Sequence, residues 1–164
     1  MPNLTIPRPN IDEYDPYYAR YISRVPDGDL LEILSNQIAE TSALLVRVPE
    51  SKAGYRYATG KWSIKEVVGH LSDTERIFSY RALRFARGDA TPLPGFEQDD
   101  YVKAANFDAR QLAELVSEFR AVRQATVMLL KSFDDAALRR RGIASDKSIS
   151  VRALAYNIAG HELH

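Results

Sequence analysis

Along this 164-residue chain, apolar residues recur every three to four positions in four segments, the spacing that gathers them on one face of a helix. The first covers roughly residues 29–47, capped by Asp27 or Asp29, with Leu30, Ile33, Leu34, Ile38, Leu44 and Leu45 as its stripe. The second opens at Ser63, which forms an S-x-x-E capping box with Glu66. It continues through Val67, Val68, Leu71, Ile77 and Phe78 to about Arg87, ahead of Gly88. The third spans roughly 108–132 and includes Leu112, Leu115, Phe119, Val122 and Leu130. Ser150 caps the last, which carries Val151, Leu154, Ile158 and His161. No alternation of period two holds over five residues, so no strand is predicted. Four helices that must each bury a stripe predict an all-α four-helix bundle.

The connecting segments differ in kind. Residues 1–26 hold Pro2, Pro7, Pro9, Pro16 and Pro26 together with Tyr14, Tyr17, Tyr18 and Tyr21. Such proline density breaks helices, apart from a short one in "PYYARYIS", and predicts an arm packed on the body. Between the second and third helices lies "GDATPLPGFEQDDYVKAANF". Loops of that length are uncommon and tend to serve as lids or binding loops, so Phe96, Asp99, Asp100 and Tyr101 are candidates to cover a site. A short helix in "DDAALRRR" is expected to end at Gly142. The reading is thus one domain over residues 1–164, an arm (1–26) followed by a bundle (27–164). Its closing helix, about 22 Å from Ser150 to His164 against about 37 Å for the second, is expected to continue past the last residue given.

Hydrophobic residues make up 45% of the chain and charged residues 27%, with zero formal net charge. That balance argues against broad electrostatic attraction to nucleic acid or an anionic membrane, so neither is expected as a partner. With no apolar run of membrane-spanning length and no secretory-signal pattern, a cytoplasmic location is the default expectation. Bundles of this size commonly form homodimers through an exposed helix face. With no cysteine, thiolate metal sites and a cysteine nucleophile are excluded, leaving His, Asp, Glu and backbone as metal donors.

The chain has three histidines, and two of them stand in the closing "GHELH". His161 borders the apolar face of the last helix, and His164 follows one turn later. His70, in "EVVGHLSDTE", lies one turn beyond Val67 at the edge of the second helix's stripe. A histidine at such an edge is usually just packed and hydrogen-bonded. Three of them on two facing helices, and none elsewhere, also suit a bundle-core metal site.

The segment "KWSIKEVVGHLSDTERIF" resembles the W-S-x-x-E-x-x-x-H-L-x-D-x-E signature of the DinB-like superfamily. "SISVRALAYNIAGHELH" resembles its closing helix, and "PLPGFEQDDY" resembles its YfiT-like branch. The resemblance implies a four-helix bundle holding a divalent metal through three histidines. Zinc or nickel would come first, with iron or manganese also suited. His70 and His161 would be two of the ligands. The family's third ligand would fall four residues after His161, just past the last residue given, with His164 the weaker substitute at i+3. A zincin protease is disfavoured, because its third ligand lies downstream of the H-E-x-x-H helix rather than some ninety residues before it.

Three neutral imidazoles leave coordination positions open, as in catalytic rather than closed sites. A metal-dependent hydrolase acting on a small-molecule substrate through metal-activated water is the first functional expectation. A bacillithiol- or mycothiol-type S-transferase, in which the metal stabilises a thiolate, is the second. A non-catalytic, metal-stabilised bundle is the third.

Other residues carry two readings each. Asp73 either orients an imidazole from behind or is an ordinary solvated carboxylate. Glu75 is expected to pair with an arginine. Glu162, about 100° around the helix from His161, is expected at the surface, with a place behind the ligand as its alternative. Asn157 either bonds within the bundle or lines the pocket. Trp62 is expected to pack on the bundle end. Arg81, Arg84 and Arg87 recur every third residue and read as a solvated face, with attraction of a carboxylate-bearing thiol the alternative. The run Arg139–Arg141 is expected to complement the end of its own short helix.

Overall fold

The computed structural model describes residues 5–164, so Pro2 of the arm lies outside the described residues. Seven helices and one hairpin follow in order: α1 (Ala19–Ile22), α2 (Leu30–Leu45), α3 (Ile64–Ala86), α4 (Gln98–Ala105), α5 (Leu112–Lys131), α6 (Asp135–Arg139), β1 (Arg141–Ala144), β2 (Lys147–Ser150) and α7 (Val151–Glu162). The four-helix bundle consists of α2, α3, α5 and α7. Helix α3 packs on α5 and α7, and α2 closes the ring against the same two. Among the described residues, no helix is long and apolar enough to cross a membrane.

Local chemistry sets the helix ends. Asp29 accepts a bond from Leu31 N at 2.9 Å, and Ser150 Oγ accepts one from Ala153 N at 3.1 Å. At α3 the capping box closes in both directions. Ser63 Oγ accepts from Glu66 N at 3.0 Å, and Ser63 N donates to Glu66 Oε2 at 2.7 Å.

The arm packs as the prolines and tyrosines predict. Asp15 caps a short 3-10 turn (Pro16–Tyr18) that leads into α1, and Ile6, Tyr18 and Ile22 join the main core. Buried Glu13 is bonded by the Arg152 guanidinium and accepts from Ser150 Oγ at 2.7 Å, tying the arm to the start of α7.

Two segments depart from expectation. The long loop contains α4, and Leu93 bridges in parallel to Ala144, so the loop is stitched to the hairpin. Helix α6 stops at Arg139 instead of running to Gly142, and the hairpin corrects the expectation of no strand. Its strands span only four residues each, too short for a period-two pattern to register, and Ser145 and Asp146 form its turn with φ of 52° and 62°. That left-handed pair is the backbone a two-residue hairpin needs, supplied here without the usual glycine. One of the three arginines stays within its own helix and two serve other elements. Arg139 pairs with Asp135, Arg140 bonds Ala86 O at the end of α3, and Arg141 pairs with Asp12.

Candidate metal centre

The two "GH" dipeptides are places where neighbouring elements approach the bundle helices closely. A Cβ on Gly69 would lie 2.4 Å from the Phe107 ring, and one on Gly160 would lie 2.0 Å from Tyr21 O. Only glycine permits both contacts, and they fix α3 and α7 where each helix presents its histidine. The imidazoles meet across the α3–α7 interface with their Nε2 atoms 3.2 Å apart. Trp62 packs at 4.7 Å from the His70 ring, and Tyr21 and Phe78 flank His161 at 5.5 and 6.2 Å.

Burial governs their charge. Desolvation holds His70 down to about pKa 4 despite the opposing pull of Asp99. His161 is held down to about 3 by desolvation first, then by repulsion from His70 and His164. Both rings are neutral at pH 7, the state a metal ligand requires. Two imidazole nitrogens on one tetrahedral zinc ion are separated by roughly 3.3 Å, so the observed spacing also suits a shared ion.

His164 is not part of this pair. Helix α7 ends at Glu162, and His164 N bonds His161 O in an i+3 turn that carries the side chain off the helical face. The exposed His164 ring rests edge-on against Tyr21 at 5.0 Å. Among the described residues, no three His, Asp or Glu side chains form a metal-binding group. The chain described thus supplies two imidazole donors, which fit part of a divalent-metal coordination sphere.

The surrounding carboxylates differ from expectation. Asp73 does not reach His70; it lies 3.7 Å from Arg76, and burial raises its pKa. Thr74 takes that place, because a residue at i+4 stacks over the helical neighbour more directly than one at i+3. Its Oγ1 sits 3.3 and 3.4 Å from the two ring nitrogens of His70, a near-equality that puts the hydroxyl over the ring face. Glu162 is buried rather than at the surface. It accepts a bond from Thr41 Oγ1 at 2.6 Å and lies 2.8 Å from Arg123 Nη2. The reason is that α7 runs through the middle of the fold: every residue from Val151 to Gly160 is buried, so turning 100° does not reach solvent. Glu75 pairs with Arg123 through two bonds of 2.8 Å, as an acid facing an arginine should. Asn157 is fully buried, and neither side-chain atom has a partner among the described residues.

Two cavities flank the pair. The larger, about 890 Å³, is mostly apolar and includes Leu44, Tyr57, Trp62, Leu71, Asp99 and His164. The smaller, about 350 Å³, contains His70 and His161 themselves, with Tyr18, Tyr21, Arg81 and Phe96. Gln98 at the start of α4 lines both, so the long loop does cover the site. Phe96 and Asp99 face these cavities, and Tyr101 stacks against Phe96 at 5.1 Å. Trp62 packs on the second apolar cluster at the start of α3, as expected of a residue at the bundle end, and it also reaches the His70 ring. Arg81 is buried, whereas Arg84 pairs with Asp89 nearer the surface.

The fold is a four-helix bundle whose facing helices bring two histidines together beside two cavities. The DinB superfamily model matches residues 33–164, and the chain belongs to that superfamily. Among solved structures it resembles YfiT from Bacillus subtilis, described as "a probable metal-dependent hydrolase with an unusual four-helix bundle topology", at 15% identity and TM-score 0.74. That match covers 82% of this chain and 78% of YfiT. The mycothiol-dependent maleylpyruvate isomerase matches at 11% identity and TM-score 0.66, over 87% of this chain and 61% of that one. At these identities the likeness shows the fold. No curated protein matches the chain.

Proposed function

We propose that the protein is a metal-dependent hydrolase acting on a small molecule, with His70 and His161 as two of the metal's ligands. The observation that carries this reading is the neutral imidazole pair, Nε2 to Nε2 at 3.2 Å, opening on a covered cavity. The charge behind the pair supports it. Glu75 and Glu162 contribute two negative charges against one positive charge on Arg123, and these side chains border His161, so the local field favours a dication.

A bound divalent ion would supply Lewis-acid chemistry and a water-derived nucleophile at neutral pH. The chain's own residues do the rest. Thr74 packs on the His70 ring and Trp62 backs it, which fixes the imidazole's direction. Tyr21, Phe78 and Phe96 narrow the smaller cavity and limit water there. Burial holds the Tyr21 hydroxyl up to about pKa 12, aided by Tyr17, so it remains a proton-bearing donor beside His161. YfiT's description as a metal-dependent hydrolase agrees with this reading.

A thiol S-transferase is the second reading, and the presence of two cavities favours it. A cosubstrate thiol needs room of its own, and the apolar cavity is within the size range of small-molecule sites.

Metal content of the purified protein, beside His70→Ala and His161→Ala, tests the site. The expected result is about one divalent ion per chain in the parent and none in either variant. Protein that stays metal-free after exposure to zinc, nickel, manganese and iron would overturn both enzymatic readings. Turnover of small esters and amides without added thiol then selects the hydrolase, and strict dependence on thiol selects the transferase.

A further inference from the structure

Three arginines of this fold are almost entirely buried, and two of them face carboxylates: Arg123 meets Glu75 and Glu162, and Arg152 meets Glu13. Arg81, only 3% exposed, meets none. Its Nη2 donates to Pro94 O at 2.9 Å and to Ser145 Oγ at 3.1 Å, both uncharged acceptors. Its Nε and Nη1 make no bond to the described residues, which leaves three of the five guanidinium N–H groups for the cavity it lines with His70 and His161. The nearest compensation is the Phe78 ring, 5.7 Å from the guanidinium carbon, a modest cation–π contact. Burial lowers the Arg81 pKa, but from a starting value so high that the group stays charged at neutral pH. A charge removed from water without a counter-ion is unfavourable unless something else supplies the counter-ion.

The other charged groups of this cavity do not supply it. Lys147 is itself a cation, paired with Asp15 at 2.9 Å, and Glu97 is exposed and pairs with neither cation among the described residues. The hairpin and the loop place the two acceptors so that Nη2 is held from one side. The free N–H groups, on Nε and Nη1, lie on different edges of the guanidinium, because each two-point edge includes Nη2. Each can therefore hold an anionic oxygen through a single charge-assisted bond.

We propose that Arg81 anchors the carboxylate of an anionic substrate whose reacting group lies at the His70–His161 pair, which makes a small-molecule carboxylate the substrate class. This rests on the metal-site reading above for the position of the reacting group. Helix geometry sets the span. Arg81 is eleven residues after His70, about 20° from the same face and about 16 Å further along the axis. Its side chain leans back toward the N-terminus of α3 and shortens that gap. The carboxylate is therefore several bonds from the reacting atom, and an α-substituted acid is too short.

Calorimetric titration of hexanoate against hexanamide, as charged and neutral probes of one length, tests the anchor on both metal-free and metal-loaded protein. The parent is expected to prefer hexanoate by about tenfold or more even without metal, as a charge-assisted contact to a buried guanidinium should. Arg81→Met should abolish the preference, Arg81→Lys should keep part of it, and Lys147→Met should leave it intact. Equal binding of acid and amide by the parent, no measurable hexanoate binding, or a preference that survives Arg81→Met or disappears with Lys147→Met would each overturn the proposal. The metal-free arm separates the two readings. A preference in protein that takes up no metal leaves the anchor standing and removes the hydrolase, while metal uptake without preference removes only the anchor.

Discussion

Arg123 and Arg81 are buried to nearly the same depth, yet their surroundings are opposite. Arg123 is saturated: both Glu75 oxygens, the Leu34 carbonyl and Glu162 surround it, and through them it joins α2, α3, α5 and α7. Arg81 has one nitrogen bonded to neutral oxygens and the rest turned to a cavity. A buried charge whose partners all come from the protein serves the fold. One whose partners are incomplete leaves a place for a ligand. The protein has both kinds on either side of one histidine pair.

The largest effect is expected where the saturated cluster is broken. Arg123→Met strands two carboxylates in the bundle interior and should cost about 3–5 kcal/mol of stability, the range for removing one partner of a buried ion pair. Denaturant unfolding checks this, and a loss below about 1 kcal/mol would mean the cluster holds nothing together.

Next comes Glu13, whose acid pairing with Arg152 resembles the Arg123 cluster but ties the arm to α7. Burial alone would raise its carboxyl, but bonds from Arg152, Ser150 and the Asn10 N–H outweigh that and hold it down to about 2. A folded-state pKa below the unfolded value means the carboxylate contributes stability above about pH 4.5, which is lost as pH falls toward 2. The span from 4.5 to about 2 corresponds to about 3 kcal/mol at neutral pH. Glu13→Gln should lower neutral-pH stability by about that much and flatten the stability profile between pH 4.5 and 2. Urea midpoints across that range test it, and parallel profiles for parent and variant would count against the pairing.

Much of this arrangement was legible in the sequence because it is local. The Ser63–Glu66 box, the Ser150 cap and the apolar stripes each specify a helix with few alternatives, and His70 and His161 follow once those helices face one another. The Glu75 pairing with an arginine was legible in kind, though not which arginine. What was illegible depends on the neighbours an element acquires. Glu162 stands a third of a turn from a histidine and was expected in water, but α7 is enclosed by α1, α2, α3 and α6. The four-residue strands were too short for their pattern to show, and α4 was concealed in a loop rich in Gly and Pro. Arg81 was grouped with Arg84 and Arg87 by its three-residue spacing. Its separation from His70, eleven residues and nearly whole turns, is the signal that places it on the site's face.

The smallest stability effect is expected from the arginine argued to matter most for binding. Arg81→Met removes a charge that no carboxylate answers, so it strands no opposite charge, and methionine fills much of the same space beside Phe78. The acceptors it releases, Pro94 O and Ser145 Oγ, border a cavity where water can satisfy them. The net change should stay within about 1 kcal/mol of the parent, in either direction, against the several expected at Arg123. Thermal and urea unfolding of the two variants in parallel make the comparison direct. An Arg81→Met protein as damaged as Arg123→Met would mean that Arg81 is also held by the fold, and the incomplete partners would no longer point to a ligand.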